Sequence, residues 1–257
     1  MRRYVVTGLV AVGVGCGRLS FDPLGDANAH WDGNSDGRQM DPYAQTVIAD
    51  GPVAYWRFEE SNALIAVDEM GNYPGTFSGA VARGPGIGRG RGAEFDGSTT
   101  RLSIGDVFAF SGTAPYTLEV WARPSVIDSH VRFLIDRSSS RTPVDGYQLY
   151  YGSTFTLAAR SVQGKEGGYA SGPEIVANRW THVVATYDGN QDTLYLDGVL
   201  INSTVGPVLP AATAGTFTVG DAGSDQFYKY LGVLDEVAIY PLALPAARVA
   251  AHSAAGR

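Results

Sequence analysis

From about Thr46 onward the chain is built of short segments in which apolar and polar positions alternate, separated by turn dipeptides. "YTLEVWARP" sets Leu118, Val120 and Ala122 against Glu119, Trp121 and Arg123. That period of two is the signature of a strand with two unlike faces. "PVAYWRFEE", "VRFLIDRS", "GYQLYYGSTFTLAAR", "GTFTVGDAG" and "LGVLDEVAIY" read the same way. Asp96-Gly97, Asp188-Gly189-Asn190 and Asp197-Gly198 sit between β-forming stretches, where glycine accepts positive φ at little cost, so each predicts a hairpin turn. About a dozen such strands at near-regular spacing predict a two-sheet antiparallel sandwich. Without a fixed repeat period, a propeller or solenoid is disfavoured. The tail differs: Pro245 opens a helix-forming run that Gly256 ends, which predicts one short C-terminal helix.

The N-terminus has a different texture. Arg2 and Arg3 precede an apolar run over residues 4–14 that is too short to span a bilayer and fits the core of a signal peptide. Cys16, the single cysteine, closes that run, as in bacterial lipoprotein signals, which are cut before a cysteine that then carries lipid. Gly15 suits that pattern, whereas Gly13 stands where leucine is usual. The following stretch is rich in Gly, Asp, Asn and Pro and has no strand or helix period, the composition of a tether. Its "DGNSDG" opens like a calcium loop, but the twelfth position is Tyr43 rather than glutamate, so it reads as acidic linker. The expected organisation is a signal segment over 1–15, a lipid-anchored linker over 16–45 and a folded domain over 46–257. Secretion and a lipid anchor in the outer membrane or at the cell surface follow from that reading.

Composition narrows the partners. Nineteen basic against 26 acidic residues give a net charge of −7, which argues against nucleic acid, since phosphate binding needs a basic face. One cysteine excludes an intrachain disulfide.

Four segments carry a family resemblance: "VAYWRFEE", "AEFDGSTTRLSIG…YTLEVWARP", "RWTHVVATYDGNQDTLYLDG" and "LGVLDEVAIYPLALPAARVAAHSAAG". Their order and wording resemble the bacterial laminin-G-like domains of the concanavalin A-like lectin/glucanase superfamily. The resemblance implies an all-β jelly-roll sandwich of two curved antiparallel sheets, with a function among glycan or protein binding modules. It also implies a structural calcium, held by Asp235, with Glu59 as N-terminal contributor and carbonyls lent by the turn at Gly97. The alternative for Asp235 is a turn cap or a pair with Arg57.

The adjacent carboxylates Asp235 and Glu236 invite a catalytic reading. Glycoside hydrolysis needs two carboxyl groups ~5 Å apart for retention or ~6.5–9.5 Å apart for inversion. Strand parity assigns Asp235 to a face with Val233, Val237 and Ile239, and Glu236 to the opposite face, so the two are not expected to act as a pair. The four histidines are scattered, no nucleophile elbow is present, and the glycine-rich "GPGIGRGRG" lacks the ending of a phosphate loop and reads as a flexible connection. Candidate ligand contacts are the aromatic and polar residues Glu119, Trp121, Tyr151, Phe227 and Tyr228. The expected function is a non-catalytic, extracytoplasmic module that binds carbohydrate or a surface protein. The alternatives are a protein–protein adhesion module without sugar affinity and a glycan-active hydrolase with an unrecognised site.

Overall fold

The computed structural model describes residues 41–61, 64–141, 144–152, 156–162, 165–206, 214–222 and 229–257. In chain order these form helix α1 (Pro42–Ala49), then strands β1 (Ala54–Trp56), β2 (Ile65–Ala66), β3 (Gly75–Ser78), β4 (Ala82–Pro85), β5 (Arg91–Asp96) and β6 (Arg101–Gly105). Strands β7 (Tyr116–Pro124), β8 (Arg132–Arg141), β9 (Val144–Tyr151), β10 (Thr156–Val162) and β11 (Lys165–Gly172) follow. The last are β12 (Thr181–Tyr187), β13 (Gln191–Leu196), β14 (Val199–Val205), β15 (Phe217–Val219) and β16 (Leu231–Tyr240), before helix α2 (Ala246–Ala255). Helix α1 lies partly within the stretch expected to be linker. Among the described residues no helix is long and apolar enough to cross a membrane.

The strands make two antiparallel sheets, as the alternation predicts. One runs β14-β13-β12-β7-β16-β5-β4, with β1 also on β16; the other runs β11-β10-β9-β8-β15-β6-β3-β2. Cross-strand partners share a face, so the register displays the core directly. In the second sheet Phe77, Leu102, Val219, Ile135 and Leu149 form one buried row, and the neighbouring row is Thr76, Ser103, Thr218, Asp136 and Gln148. The apolar row meets Leu118, Val120, Val183, Leu194 and Ile239 of the first sheet in one core. Trp56 of β1 lies in it, stacked 6.1 Å from Phe217.

The central strands of the first sheet, β12, β7 and β16, are buried on both faces. The sheet's other face lies under α1 and α2, in a second core of Tyr43, Ala44, Val47, Tyr55, Trp121, Val184, Tyr240 and Val249. Helix α1, absent from the sequence expectation, has a legible start: Asp41 accepts a hydrogen bond from the Ala44 N–H (2.8 Å), and proline follows it. Helix α2 follows Pro245 and ends at Gly256, as expected.

A polar cluster centred on Glu119 joins this layer to the sheet. Glu119 is fully buried, not surface-exposed as expected of a ligand contact. Tyr43 Oη donates to its Oε1 (2.7 Å) and Tyr240 Oη to its Oε2 (2.9 Å). His182 Nε2 lies 2.7 Å from Oε1, and His252 Nδ1 lies 2.9 and 3.0 Å from the two oxygens. The other His252 nitrogen, Nε2, lies 2.8 Å from Asp50 Oδ2, at the C-terminal cap of α1, which also pairs with Arg248 of α2 (2.7 Å). An imidazole with a carboxylate on each nitrogen donates from both and is therefore an imidazolium. Burial alone would depress the His252 pKa; the hydrogen bonds and charges of Glu119 and Asp50 raise it instead. Burial would likewise raise Glu119, but hydrogen bonds from His182 and His252 hold it well below the usual carboxylate range.

Glu119→Ala strands a buried imidazolium and three further donors, and is expected to cost about 3–5 kcal/mol in urea unfolding. The sign with pH follows from the two shifts. Glu119 stabilises fully above about pH 4.3 and loses that contribution as pH falls. His252 stabilises fully below about pH 6.5 and loses it as pH rises. The substitution should therefore cost most between those values, and a pH-independent loss would refute the ion-pair account.

Candidate functional site

The stretch "LGVLDEVAIY" is β16, and a bulge interrupts it. Asp235 pairs with Trp121 and Ala238 with Glu119, so three steps on β16 face two on β7. Glu236 takes φ 51°, left-handed backbone that is uncommon outside glycine. The extra residue resets the parity. Asp235 shares the helix-covered face with Ala238 and Tyr240, while Val237 and Ile239 turn into the core between the sheets. Glu236 accepts from Tyr55 Oη and lies 3.3 Å from Arg57 Nε, on that same helix-covered face. The expectation that alternation puts the two carboxylates on opposite faces is thus corrected by the bulge. Both are buried, at 0% and 2% exposure, so proximity does not make them accessible.

Asp235 is a cap, not an arginine partner. Its Oδ2 accepts from the Ile87 N–H (2.8 Å) and its Oδ1 from the Glu236 N–H (2.9 Å). Arg57 instead meets Glu236, Asp41 and Glu59. The glycine-rich stretch expected to be flexible is the ordered β4–β5 hairpin, closed by Gly86 N–H to Gly90 O (2.9 Å). Gly86 lies so close to Asp235 that a Cβ there would stand 2.4 Å from Oδ2.

The implied calcium ligands do not assemble. Asp235 and Glu59 both hold the β4–β5 hairpin, Glu59 by accepting from the Arg91 N–H (3.1 Å). Gly97 lies beyond the other end of β5, where a Cβ would touch Leu231 and stand 3.5 Å from an Arg132 guanidinium nitrogen. Gly92, by contrast, lies against Asp235, and five extended residues separate it from Gly97 by roughly 15 Å. Among the described residues no group of three or more His, Cys, Asp or Glu is placed to hold a metal. The residues present do not fit calcium on Asp235, Glu59 and Gly97.

The same helix-covered sheet opens into a cleft of about 360 Å³. Gly86, Ile87 and Gly88 of the β4–β5 hairpin form one wall, Trp121 belongs to β7, and Arg179 and Trp180 precede β12. Asp197 comes from the β13–β14 turn, and Gly256 and Arg257 follow α2. That turn is the predicted Asp197-Gly198 hairpin: Leu196 pairs with Val199, and both turn residues have positive φ. It fixes Asp197, whose carboxylate accepts from the His182 N–H (3.2 Å) and from Arg179 (2.8 Å) and lies 3.3 Å from Arg257 Nη2 as an ion pair. Trp180 is half-buried, with the Arg123 guanidinium 5.1 Å from its ring centroid. Trp121 is 3% exposed, lies 4.9 Å from the His182 ring, and its Nε1–H has no partner.

Of the expected ligand contacts, Trp121 lines this cleft. Glu119 is enclosed beneath the helices, and Tyr151 is buried between the sheets, edge-on to Tyr230 at 6.0 Å. Phe227, Tyr228, Cys16 and the "DGNSDG" stretch lie outside the described residues. Sequence reading missed Arg179, Asp197 and Arg257; the Asp197-Gly198 turn was the available signal, since it projects Asp197 beside the start of β12.

Buried carboxylates with raised pKa values predict a pH slope. Burial first, then each other's charge, raises Asp235; burial raises Glu236 to about 8. Between about pH 4.3 and 8 the unfolded chain releases protons that the folded chain keeps, so stability falls as pH rises. Glu236→Gln should flatten that fall, gaining at least ~1 kcal/mol on the parent at pH 9 relative to pH 5, about 2–4 °C in melting temperature. An unchanged slope would contradict the assignment.

Comparison with known proteins agrees with the fold. A search of curated proteins finds no significant match. Domain 4 of a GH43 extracellular arabinanase from Geobacillus stearothermophilus, solved in complex with arabinotriose, superposes with TM-score 0.63 at 20% identity, covering 79% of this chain and 98% of that one. The binding domain of Paraclostridial Mosquitocidal Protein 1 gives TM-score 0.65 at 17% identity, over 78% of this chain. The binding domain of botulinum neurotoxin DC, solved with rat synaptotagmin II, gives 0.64 at 14%, over 82%. The chain spans about half the length of each of these two binding domains, at 51% and 52%. A laminin G family profile matches residues 96–250, more than half of the chain, and the chain therefore belongs to the concanavalin A-like lectin/glucanases superfamily.

Proposed function

We propose that this protein is a non-catalytic binding module that takes a saccharide in the cleft between the β4–β5 hairpin, Trp180 and the end of α2. The observation that carries this reading is Trp180, half-buried at the rim beside arginine and aspartate side chains. A sugar ring presents an apolar C–H face to an aromatic ring and hydroxyls to planar polar groups, and this lining supplies both. The arabinotriose complex of the arabinanase domain supports a sugar ligand on this fold. The synaptotagmin complex of the toxin domain favours a protein ligand as the second reading. Against hydrolysis, the cleft lining holds one acidic side chain, Asp197, already paired with two arginines, and a glycosidase needs two carboxyl groups flanking the scissile bond.

A glycan array that includes arabinotriose tests the reading, with calorimetry on the strongest hit. Trp180→Ala should weaken that hit about tenfold or more, ~1.4 kcal/mol, while the melting temperature stays close to the parent's. No signal from the folded protein on the array would remove the saccharide reading.

We further propose that the module is exported and held at a membrane by lipid on Cys16, which the signal-like residues before it support. Mass spectrometry of the mature N-terminus should find a diacylated or triacylated cysteine; an unmodified Cys16 in membrane-extracted protein would overturn this.

A further inference from the structure

An open sheet leaves backbone N–H and C=O groups unpaired along its outermost strands, and folded proteins blunt those edges with charge, proline or brevity. Three of the four outermost strands here are blunted. Strand β2 has two residues, β4 contains Arg83 and ends in Pro85, and β11 opens with Lys165 and Glu166. The fourth, β14, is not: its seven residues, VLINSTV, include neither a charge nor a proline. Three of its side chains are exposed and apolar, Val199 at 61%, Leu200 at 52% and Val205 at 61%. Its inner edge pairs with β13, and the one irregularity, a bulge at Ile201, leaves residues 202–205 in continuous register. Leu200, Ser203 and Val205 are the partners of Tyr195, Thr193 and Gln191, and Tyr195 belongs to the core beneath the helices, so these three side chains share the helix-covered side of the sheet. Asn202 turns the other way and donates to the Ser171 carbonyl of β11 (3.1 Å).

We propose that β14 is the interface between two copies of this chain, paired antiparallel about a two-fold axis at Ser203. The axis sets Ser203 opposite Ser203 of the second copy, Asn202 opposite Thr204, and Val205 opposite the bulged pair Leu200 and Ile201. Polar residues then meet polar ones, and Val205 meets Leu200 on the same side of the sheet. A two-fold makes each of these matches twice, and an uncharged strand meets its own copy without like-charge repulsion. A charged peptide would find no counter-charge on this strand. A seven-residue edge buries an area at the low end of specific interfaces, so the dimer exchanges with monomer at micromolar concentration. The axis is normal to the sheet, so both helix-covered faces, and with them both clefts, open on one side of the joined sheet. A ligand that repeats along a surface is then held at two points. That consequence rests on the binding reading of the cleft; the pairing itself does not.

Sedimentation equilibrium on the full chain tests the pairing. The weight-average mass should rise from monomer to dimer, and no further, between about 1 and about 300 μM. Ser203→Lys and Ser203→Asp each set like charges across the axis and should stay monomeric over that range, and an equimolar mixture of the two should recover the dimer. Both substitutions give up the bond that Ser203 Oγ accepts from Gln191 (2.7 Å), so circular dichroism checks their fold. If either misfolds, Val205→Lys, at an exposed position, should also weaken association at least tenfold. A parent that stays monomeric would overturn the proposal, as would a dimer untouched by these substitutions. A mixture of folded charge variants that stays monomeric would overturn the axis at Ser203. Growth beyond the dimer would place the edge against a different surface of its neighbour and overturn the two-fold. Each outcome reads the interface without a ligand, so the saccharide reading of the cleft stands or falls separately.

Discussion

The Glu119 carboxylate is the constraint on which the rest of the helix layer depends. A lone carboxylate buried in a sheet face would cost several kcal/mol and would instead take up a proton. Here two tyrosines and two histidines from four different elements donate to it. Each donor belongs to an element that has to be in place for the charge to be tolerated: Tyr43 to α1, His252 to α2, His182 to β12 and Tyr240 to β16. Removing any one leaves the buried carboxylate with one donor fewer. The helices are therefore fixed by directional contacts as well as by the apolar contacts of Val47 and Val249.

The cleft inherits its shape from that arrangement. Gly256 and Arg257 reach Trp121 because α2 ends where His252, one turn earlier, is clamped between Glu119 and Asp50. His182 contributes twice, through its ring to Glu119 and through its backbone N–H to Asp197. His182 thus ties the buried Glu119 network to the Asp197 turn at the cleft.

The sheets, the C-terminal helix and the Asp197-Gly198 turn were legible because each rests on local rules: period-two alternation, proline before a helix and positive φ at a two-residue loop. What was not legible depends on partners far away in sequence. Glu119 alternates with apolar residues and reads as the wet face of a strand; only α1 and α2, 76 and 133 positions distant at Tyr43 and His252, turn that face into an interior. Helix α1 was overlooked because Asp41 and Pro42 close a linker-like stretch, and its eight residues are too few for a clear helical period. Parity failed at Glu236 because a bulge has no alternation signature of its own.

That bulge shapes the wall of the cleft. It lies where β16 changes partners, from β5 at residues 231–234 to β1 at residues 237–239. The gap between the two partners lets the β4–β5 hairpin fold over Asp235, which holds it by the Ile87 N–H. Gly86, Ile87 and Gly88 of that hairpin are also a wall of the cleft. Asp235 accepts this bond directly from the hairpin backbone. What the wall needs is a short side chain at 235 and none at 86, since a longer acid or a Cβ would push the hairpin outward and widen the cleft. Asp235 thus belongs to the construction of the cleft wall.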